Sequence, residues 1–551
     1  MPNLYLVTVN HLVARILSMQ NRNPMSATHG CLDRNFWHFK TIIDFPSATY
    51  QQVIAGLSRL YATAAENNIY YKQPVIAESI KAGILYWCEI QNRDGSFNEY
   101  YVNDRSFCPT AYTTYAAAEA YCLTKDMFLP QEQDLIESKL LKSACWLTVH
   151  SNSTVQNQMI ASMNALYWVA KVSQDDLIHK AFKKRRLEIL NSQNQEGWFC
   201  EYGGADIGYS FKALDLLSSY LTEVDDPEIF SSAVRLLDFS SNFLHPDGTC
   251  GGDYGSRCTQ HVFPFGLEFL SARGVSTAQV ALVWFRKHFK AQQIIHPAAI
   301  DDKYVLYFYF NSYVRAFLKY EGDDRLADGC RFNRPEVRFF KEAGLLCLQI
   351  AAISAWFSSR RNGVCRVFSG DRLVHSDCGY LIRLSNGDEC ATQCDDKCAR
   401  MEYFKSSEGF CIRIVGDAGR VNDSLPLTKW LIPFKLFCGT LLRFEKLSYW
   451  FNDRLKSDRI AKYDRAPVRI TRDFNLRTEG LIIKDTIEVT SAKYTIKYVT
   501  LIHDVTVTHS PSSRYYQVQY LQPRCIPRSA EESPARYRYE YEIAYDRQGG
   551  G

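Results

Sequence analysis

The chain has little net charge and no long apolar segment, and both deficits exclude classes of function. Lysine and arginine total 64 against 60 acidic residues, a formal net charge of +4, and the basic residues are scattered. A protein that grips nucleic acid by its phosphates needs a concentrated basic face, so nucleic acid is not an expected partner. The longest apolar run, residues 343–357, is interrupted by Gln349 and is too short to cross a bilayer. We therefore expect no transmembrane segment.

The first residues also lack the pattern of a secretory leader, which is a basic start, a clean apolar core and a small-residue cleavage site. Cysteine, by contrast, is plentiful, with 18 copies. Most of these cysteines fall inside segments predicted as helices or strands, as Cys122 and Cys347 do. Reduced, buried thiols are the simplest interpretation in a chain without an export signal. We therefore expect a cytoplasmic protein.

One group of cysteines invites a metal interpretation. Cys390, Cys394 and Cys398 lie close in sequence to two aspartates and to His375. Their four-residue spacing differs from the pair spacing of the usual zinc sites. We expect no metal and no other cofactor.

A repeat of about 50 residues organises the first 360 residues. Three loops, at 94–100, 196–202 and 247–254, share one plan: an acid, a glycine and one further residue, then an acid followed by tyrosine. Each loop precedes a segment with apolar residues at helical spacing, and a second helical segment follows. The predicted first helices are 47–61, 111–123, 157–170, 208–221, 259–272 and 305–320, and the predicted second helices are 75–90, 132–149, 174–190, 228–244, 278–294 and 337–357.

About six helical hairpins therefore follow one another, and a single hairpin cannot bury both of its faces. The first helices are the more aromatic, whereas the second helices carry charged runs such as residues 180–186. An inner ring of first helices and an outer ring of second helices satisfies both compositions. We predict an α/α toroid over residues 1–360.

The remaining third of the chain changes to the short period of β-strands. Turn residues, as at 385–388, separate alternating segments, which predicts an antiparallel β-sandwich over residues 361–551 with a loose C-terminal tail. The fold class is thus α+β with two domains. The predicted strands are 380–384, 410–415, 468–471, 481–489, 494–503, 515–520 and 537–545.

Loops that precede the inner helices converge at one mouth of such a ring, and this is where we expect the functional site. Tyrosine faces stack on sugar rings, and arginine, amide and carboxyl groups orient hydroxyls and carboxylates, so the residue types favour a carbohydrate cleft. The candidates are Arg105, Asn157, Gln158, Glu201, Tyr202, Asp206, Tyr209, Tyr254, Arg257, His261 and Asp301. A structural interpretation stands beside this one: Glu99, Glu201 and Asp253 cap helices or tie adjacent loops together.

Two segments carry a resemblance to a known family. Val155-Gln156-Asn157-Gln158-Met159 and Gly208-Tyr209-Ser210-Phe211, within a chain of helical hairpins followed by an antiparallel sheet domain, resemble the heparinase II/III-like polysaccharide lyases. The resemblance implies that Asn157 helps to neutralise a uronate carboxylate and that Tyr209 is the acid or base of a β-elimination. Gln158 stands where many members have histidine, and His375 is the one histidine in the first sheet segment.

The chemistry of elimination assigns the other candidates. A proton next to a carboxylate is removed only when that carboxylate's charge is masked, a role open to Asn157, Gln158 or Arg257. Tyr209 is the best candidate for proton transfer, with His261 or Tyr254 as its partner. We therefore predict a lyase acting on an acidic polysaccharide or oligosaccharide, for which Arg105, Glu201, Tyr202 and Asp206 supply further contacts.

Three alternatives stay open. A glycoside hydrolase would use paired carboxylates, Glu201 with Asp253 or Asp206. A non-catalytic glycan-binding protein would keep the aromatic cleft and lack the acid and base. Residues 91–97 and 193–198 also resemble the Gln-and-Trp repeats of triterpene cyclases, but neither Asp225 nor Asp301 lies in a convincing protonating motif.

Overall fold

The computed structural model describes residues 3–38, 43–322, 336–421, 428–459, 464–502 and 529–545. A helical region comes first and an antiparallel sheet region follows, as the sequence predicts. The helices are α1 (Leu6–Met19), α2 (Arg34–His38), α3 (Ile54–Ala62), α4 (Pro74–Glu89), α5 (Phe107–Thr124), α6 (Pro130–Val149), α7 (Gln156–Ser173), α8 (Asp176–Ser192), α9 (Ile207–Leu221), α10 (Pro227–Ser240), α11 (Pro264–Ala272), α12 (Ser276–Lys290), α13 (Asp302–Tyr304), α14 (Phe310–Lys319), α15 (Thr428–Thr440) and α16 (Glu445–Arg459).

Six helices form a closed inner ring. In the order α3, α5, α7, α9, α11 and α14, each helix packs on the next, and α14 packs back on α3. Asn311 joins the two ends, because its side-chain amide donates to the carbonyl of Gln52 at 3.0 Å and its Oδ1 accepts from the backbone N–H of Gly56 at 2.9 Å. The outer helices α4, α6, α8, α10 and α12 each pack on the inner helix that precedes them. The predicted α/α toroid is confirmed.

The last outer helix is not the predicted one. Helix α1 packs against α14, and the Arg15 guanidinium donates to Asp302 at 2.7 Å, so the start of the chain completes the sixth pair. The predicted helix at 337–357 is wrong, because these residues form strands. Leu345 and Cys347 face the core of the helical ring, whereas Leu346 and Leu348 face the core of the sheet region. A strand buried on both faces has a continuous apolar sequence, which hides its period of two.

Two antiparallel sheets build the C-terminal region and share one hydrophobic core. In the described residues the first sheet has the order β1-β2-β3-β4-β5, and the second has the order β12-β6-β7-β9-β10-β11-β14-β13, with β8 paired to β9. The strands are β1 (Val337–Phe340), β2 (Leu345–Ile350), β3 (Ile353–Ser358), β4 (Val364–Ser369), β5 (Arg372–Asp377), β6 (Tyr380–Leu384), β7 (Glu389–Ala391), β8 (Arg400–Ser406), β9 (Gly409–Arg420), β10 (Arg465–Arg477), β11 (Gly480–Val489), β12 (Ile496–Leu501), β13 (Ser529–Glu532) and β14 (Arg536–Ala544).

Six of the seven predicted strands fall on β6, β9, β10, β11, β12 and β14 and are confirmed. The seventh, at 515–520, and the tail after residue 545 lie outside the described residues. The domain division at residue 360 stays a prediction, and the first sheet begins upstream of it, at Val337. Helices α15 and α16, between β9 and β10, were not predicted. Among the helices that the structure describes, none combines the length and the apolarity needed to span a membrane.

Candidate functional site

The repeated glycines hold the loops at one mouth of the ring. Gly95 and Gly197 have φ of +97° and +100°, which glycine adopts without strain. A Cβ atom on Gly95 would lie 2.4 Å from the carbonyl oxygen of Lys142, and one on Gly197 would lie 2.4 Å from that of Arg235. Each loop therefore rests on the backbone of a neighbouring outer helix. This contact fixes where the aromatic and acidic residues that follow enter the mouth.

The acids that end these loops tie the elements together. Glu201 is fully buried and accepts from both the backbone N–H and the side-chain amide of Asn157, at 2.8 and 2.7 Å. Glu99 accepts from Ser106, the residue before α5, at 3.2 Å. Asp253 forms a buried ion pair with Arg366 of β4 at 2.9 Å. These three carboxylates therefore tie neighbouring elements together, as the structural interpretation of the acid-tyrosine repeat predicts.

Asp206 has a similar structural task at the start of α9. Its carboxylate is fully buried and accepts from the backbone N–H groups of Tyr209 at 3.1 Å and Arg257 at 2.9 Å. The hydroxyl of Thr259 donates to it as well. Burial raises the pKa of Asp206, while these donors act in the opposite direction. Asp206 thereby locks the loop that carries Arg257 against the helix end that carries Tyr209.

Tyr202, Tyr209 and Arg257 meet at this point, and we call them the tyrosine-arginine cluster. The Arg257 guanidinium lies 4.4 Å from the centre of the Tyr202 ring, and the rings of Tyr202 and Tyr209 are 6.4 Å apart. All three side chains are half-buried. Within the described part of the chain, neither the two hydroxyls nor the guanidinium has a hydrogen-bond partner, and the guanidinium forms no direct ion pair. The cluster therefore presents at the mouth a guanidinium and two phenols without hydrogen-bond partners, with the carboxylates of Asp206 and Glu201 acting on the guanidinium at longer range.

The electrostatics of the cluster set the protonation state of Tyr209. Burial raises the pKa of Tyr209 well above the usual value for tyrosine, and the neighbouring phenols Tyr202 and Tyr304 add to the rise. The positive charge of Arg257 acts in the opposite direction. Tyr209 accordingly carries its proton at neutral pH, and Arg257 is the group that stabilises the phenolate when that proton leaves.

The two amides predicted to bind substrate, Asn157 and Gln158, are more buried than the tyrosine-arginine cluster, and both form hydrogen bonds within the protein. Asn157 is 1% exposed. Besides its bonds to Glu201, its Oδ1 accepts from the hydroxyl of Tyr112 at 2.8 Å. Gln158 accepts from Asn152 at 2.9 Å through its Oε1. Of the three groups that the sequence suggested for masking a carboxylate, Arg257 is therefore the one whose side chain has no hydrogen-bond partner in the described residues.

His261 lies behind the cluster. Its Nδ1 is 2.7 Å from the hydroxyl of Tyr309, its ring stacks on Tyr304 at 5.6 Å, and its Nε2 is buried without a hydrogen-bond partner in the described structure. Phe308 contacts both His261 and Tyr209, with ring centres 5.6 and 6.0 Å away. Burial, and secondarily the charge of Lys212, lowers the pKa of His261 to about 3. His261 is therefore a neutral side chain of the ring interior.

This depressed pKa predicts a loss of stability in mild acid. Histidine in the unfolded chain has a pKa of about 6.5 and binds a proton below that pH, whereas buried His261 stays neutral. The free energy of unfolding therefore falls as pH drops below about 6.5. By pH 5 the expected cost is about 2 kcal/mol. We expect His261→Gln, which keeps a polar group beside Tyr309 and does not titrate, to flatten the dependence of Tm on pH between 7 and 5. An unchanged slope in this variant would show that other groups cause the acid sensitivity.

Three further sequence candidates lie outside the cluster. The hydroxyl of Tyr254 hydrogen-bonds to His245 at 2.8 Å, inside a buried aromatic group at the first sheet. Arg105 lies 3.0 Å from Asp94 and donates to the carbonyl of Leu442 at 2.6 Å, between α15 and α16. Asp301 accepts from the backbone N–H of Tyr304 at the start of α13. These three side chains hold the structure of the rim together.

Sequence reasoning missed several residues around the cluster. Phe308, in a π-helical turn (Val305–Tyr309), separates Tyr209 from His261. Lys212 is buried, lies 3.6 Å from Asp215, and faces the ring of Phe308. Lys303, at the rim, is 3.7 Å from Glu99 and faces the ring of Tyr100. Phe308 and Lys212 lie in predicted inner helices and Lys303 lies just before one, which was the available signal. A helical pattern, however, does not distinguish a residue at the mouth from one in the core.

Among the described residues, the structure brings one group of possible metal ligands together, and Cys390, Cys394 and Cys398 do not belong to it. That group is Cys365, His375 and Asp377, whose ligand atoms lie within 4.8 Å of one another. The Arg472 guanidinium donates to Asp377 at 3.1 Å and already supplies positive charge there. A metal cation would be repelled by this guanidinium, so the donor set does not fit a metal ion.

Comparison with known proteins gives a likeness of fold. No protein-family model matches the sequence, and no curated protein matches it in sequence. The structure of chondroitin AC lyase from Streptomyces coelicolor A3 in complex with chondroitin sulphate matches with a TM-score of 0.50 and 9% identity, over 89% of this chain and 67% of that one. Heparinase III matches with a TM-score of 0.44 and 9% identity, over 89% and 78% of the two chains. A heparan sulfate lyase mutant from Pedobacter heparinus matches with 0.44 and 10%, over 98% and 81%. The first of these likenesses gives the chain the fold of a polysaccharide lyase.

Proposed function

We propose that this protein cleaves uronate-containing polysaccharides or oligosaccharides by β-elimination. One observation carries the proposal: the Arg257 guanidinium and the Tyr209 hydroxyl belong to one half-buried cluster at the mouth of the ring, and neither has a hydrogen-bond partner among the described residues. The fold supports it, since the structural neighbour with the TM-score of 0.50 is a lyase that holds chondroitin sulphate.

Arg257 is the group that binds the substrate carboxylate in this proposal. A guanidinium matches a carboxylate with two parallel hydrogen bonds, and the ring of Tyr202 beneath it holds its plane. Neutralising the carboxylate lowers the cost of removing the proton from the adjacent carbon, because the negative charge that develops there spreads onto the carboxylate.

Tyr209 moves the proton. The C–H bond next to the carboxylate breaks, its electron pair forms a carbon-carbon double bond, and the bond from the β-carbon to the glycosidic oxygen breaks. Tyr209 is a phenol at neutral pH, so it first releases its proton to water, with the charge of Arg257 stabilising the phenolate. The phenolate then accepts the proton from carbon, and the phenol so formed returns a proton to the departing oxygen. The products are an unsaturated uronate and a new sugar hydroxyl, so atoms and charge balance without a cofactor.

A hydrolase with paired carboxylates has less support. Glu201 and Asp206 are fully buried and accept several hydrogen bonds each, and Asp253 is in an ion pair with Arg366. A hydrolytic acid and base must reach the substrate, and these carboxylates are held by the protein itself.

The direct test is incubation with uronate polymers and with neutral polymers as controls. Elimination gives an unsaturated product that absorbs ultraviolet light, whereas hydrolysis gives new reducing ends without that absorbance. Binding of the uronate polymers without either product would identify a non-catalytic glycan-binding protein and would contradict the proposed reaction.

Replacing Arg257 tests the carboxylate contact. We expect Arg257→Gln to raise KM for uronate substrates about 10- to 100-fold, the value of a charge-assisted hydrogen bond. Neutral oligosaccharides should bind the native chain and Arg257→Gln equally weakly, because they carry no carboxylate. The matched control is Arg273→Gln. Arg257 precedes α11, whereas Arg273 directly follows α11 and stacks on the ring of Phe269. An unchanged KM in Arg257→Gln, or an equal change in Arg273→Gln, would rule out this role.

A further inference from the structure

The two unpredicted helices, α15 and α16 with the turn Leu441–Arg443 between them, form what we call the helical pair (residues 428–459). One of its faces is fastened to the rim of the ring. The side-chain amide of Asn103 donates to the carbonyl of Cys438 at 3.0 Å, and the hydroxyl of Tyr449 donates to Asp94 at 2.7 Å. The ring of Tyr101 packs on Phe434 and Phe451. The pair is therefore a fixed part of the surface.

The other face of the helical pair is apolar and exposed. Ile432, Phe444 and Leu436 are 70, 68 and 64% exposed, and both tryptophans of the pair are 61% exposed. A helix that covers a protein surface normally carries polar residues on its outer side, and a helix that is apolar on all sides is normally buried. Among the residues that the structure describes, this pair is covered on one side, so its outer face is suited to a second apolar surface. The exposed large apolar side chains are Trp430, Leu431, Ile432, Leu436, Leu441, Phe444 and Trp450.

Basic residues surround this apolar face. Among the side chains of the pair that the structure describes, the exposed charged ones are mostly basic, with one acid, Glu445. Lys435 lies 3.5 Å from Asp44 of the ring region. The exposed basic side chains are Lys429, Lys435, Arg443, Lys446 and Arg454. Positive charge next to an apolar face complements a surface that is negative at its boundary and apolar beneath.

We propose that the helical pair docks the protein onto an anionic lipid bilayer and lies within the interface. Tryptophan, phenylalanine and aliphatic side chains enter the boundary between headgroups and acyl chains, while lysine and arginine contact anionic headgroups. The aliphatic members Leu431, Ile432 and Leu436 favour a bilayer over a glycan, which stacks on aromatic faces. Docking would hold the mouth of the ring next to the membrane, because residues 101–105 bind the pair directly.

Co-sedimentation of the full chain with lipid vesicles tests this proposal. We expect binding to vesicles of phosphatidylcholine with about one third phosphatidylglycerol, at least about tenfold weaker binding to phosphatidylcholine alone, and weakening by salt. The triple variant Trp430→Ser, Phe444→Ser and Trp450→Ser should lower the partition coefficient at least about tenfold. The control replaces Met25, Val149 and Leu187 by Ser; they are 90, 77 and 52% exposed elsewhere and should leave binding unchanged.

A second variant separates charge from apolar contact and does not depend on the first one folding. Lys429→Gln with Arg443→Gln and Lys446→Gln should remove the preference for anionic vesicles. Absence of vesicle binding by the native chain, or binding that both variants retain, overturns the proposal. Light scattering adds one further outcome: a dimer that the serine variant dissociates, together with no vesicle binding, would assign the face to a second copy of the chain.

Discussion

The Tyr209→Phe variant is expected to lose elimination activity by a factor of about 10² to 10⁴ in kcat, with little change in KM. The substitution removes one oxygen and leaves the ring in its place between Tyr202 and Phe308. Arg257 keeps its position, because the backbone of its loop is held by Asp206 and its guanidinium by Tyr202. Binding should therefore persist while proton transfer fails. The measurement is the initial rate of ultraviolet absorbance with a uronate polymer that the native chain cleaves.

Tyr202→Phe is the matched control for this variant. Both residues are half-buried phenols of the same cluster, but only the ring of Tyr202 supports Arg257. We expect the loss of its hydroxyl to change kcat less than about tenfold. If Tyr209→Phe kept the native rate while Tyr202→Phe lost it, the proton-transfer role would belong to Tyr202. If both variants kept the native rate, neither phenol would transfer the proton.

The helical ring was predictable because its signals are local. The acid-glycine loops mark places where a Cβ would strike the backbone of an outer helix, as at Gly95 and Gly197. The contrast between aromatic and charged helices reports which ring each helix joins. Neither signal requires knowledge of a distant partner, so both can be read from one repeat at a time.

Strands β1 to β3 and helix α1 escaped prediction because their roles depend on distant parts of the chain. Strand β2 faces two cores at once, since alternate residues from Leu345 to Leu348 contact the helical ring and the second sheet. Helix α1 acquires a ring position only through α14, which lies at the far end of the helical region. A sequence pattern read in a short window contains neither partner.

The location of the candidate site was predictable from the sequence, but the sequence did not show which of its side chains have partners within the protein. The loops that precede the inner helices bring Tyr209 and Arg257 into one cluster through Tyr202. The sequence did not reveal that Asn157 is held by Glu201, that Tyr254 bonds to His245, or that Arg105 donates to the carbonyl of Leu442. Each of these contacts gives a chemically attractive side chain a structural partner. Only the three-dimensional pairing separates residues that are engaged from those that are available.

The sheet region contains a buried charge network that makes the strongest stability prediction. Arg472 of β10 is fully buried and binds Asp377 of β5 at 3.1 Å and Asp485 of β11 at 2.9 Å. The hydroxyl of Tyr380 donates to Asp485 at 2.5 Å. Despite burial, the Arg472 charge holds the pKa of Asp377 below its usual value, whereas burial raises the pKa of Asp485. One guanidinium thus compensates two buried carboxylates.

We expect Arg472→Leu to lower the free energy of unfolding by about 3 to 5 kcal/mol, because it leaves two carboxylates without their cation in the core. The measurement is urea unfolding at neutral pH. Arg413→Leu is the matched control, since Arg413 on β9 pairs with Asp473 of β10 in an exposed bond expected to contribute less than about 1 kcal/mol. Adding Asp377→Asn and Asp485→Asn to Arg472→Leu should restore part of the loss.

The pH dependence of these variants separates lost charge pairing from lost packing. In the native chain the lowered pKa of Asp377 contributes stability above the ordinary pKa of aspartate, and that contribution disappears as pH falls through the folded pKa. In Arg472→Leu the two carboxylates lose the guanidinium, so their folded pKa values should rise. Mild acid should then stabilise the variant relative to neutral pH. A variant that loses stability equally at all pH values would indicate that the Arg472 side chain acts by filling space between Tyr380 and Phe474, whose ring centres lie 5.4 and 5.0 Å from its guanidinium.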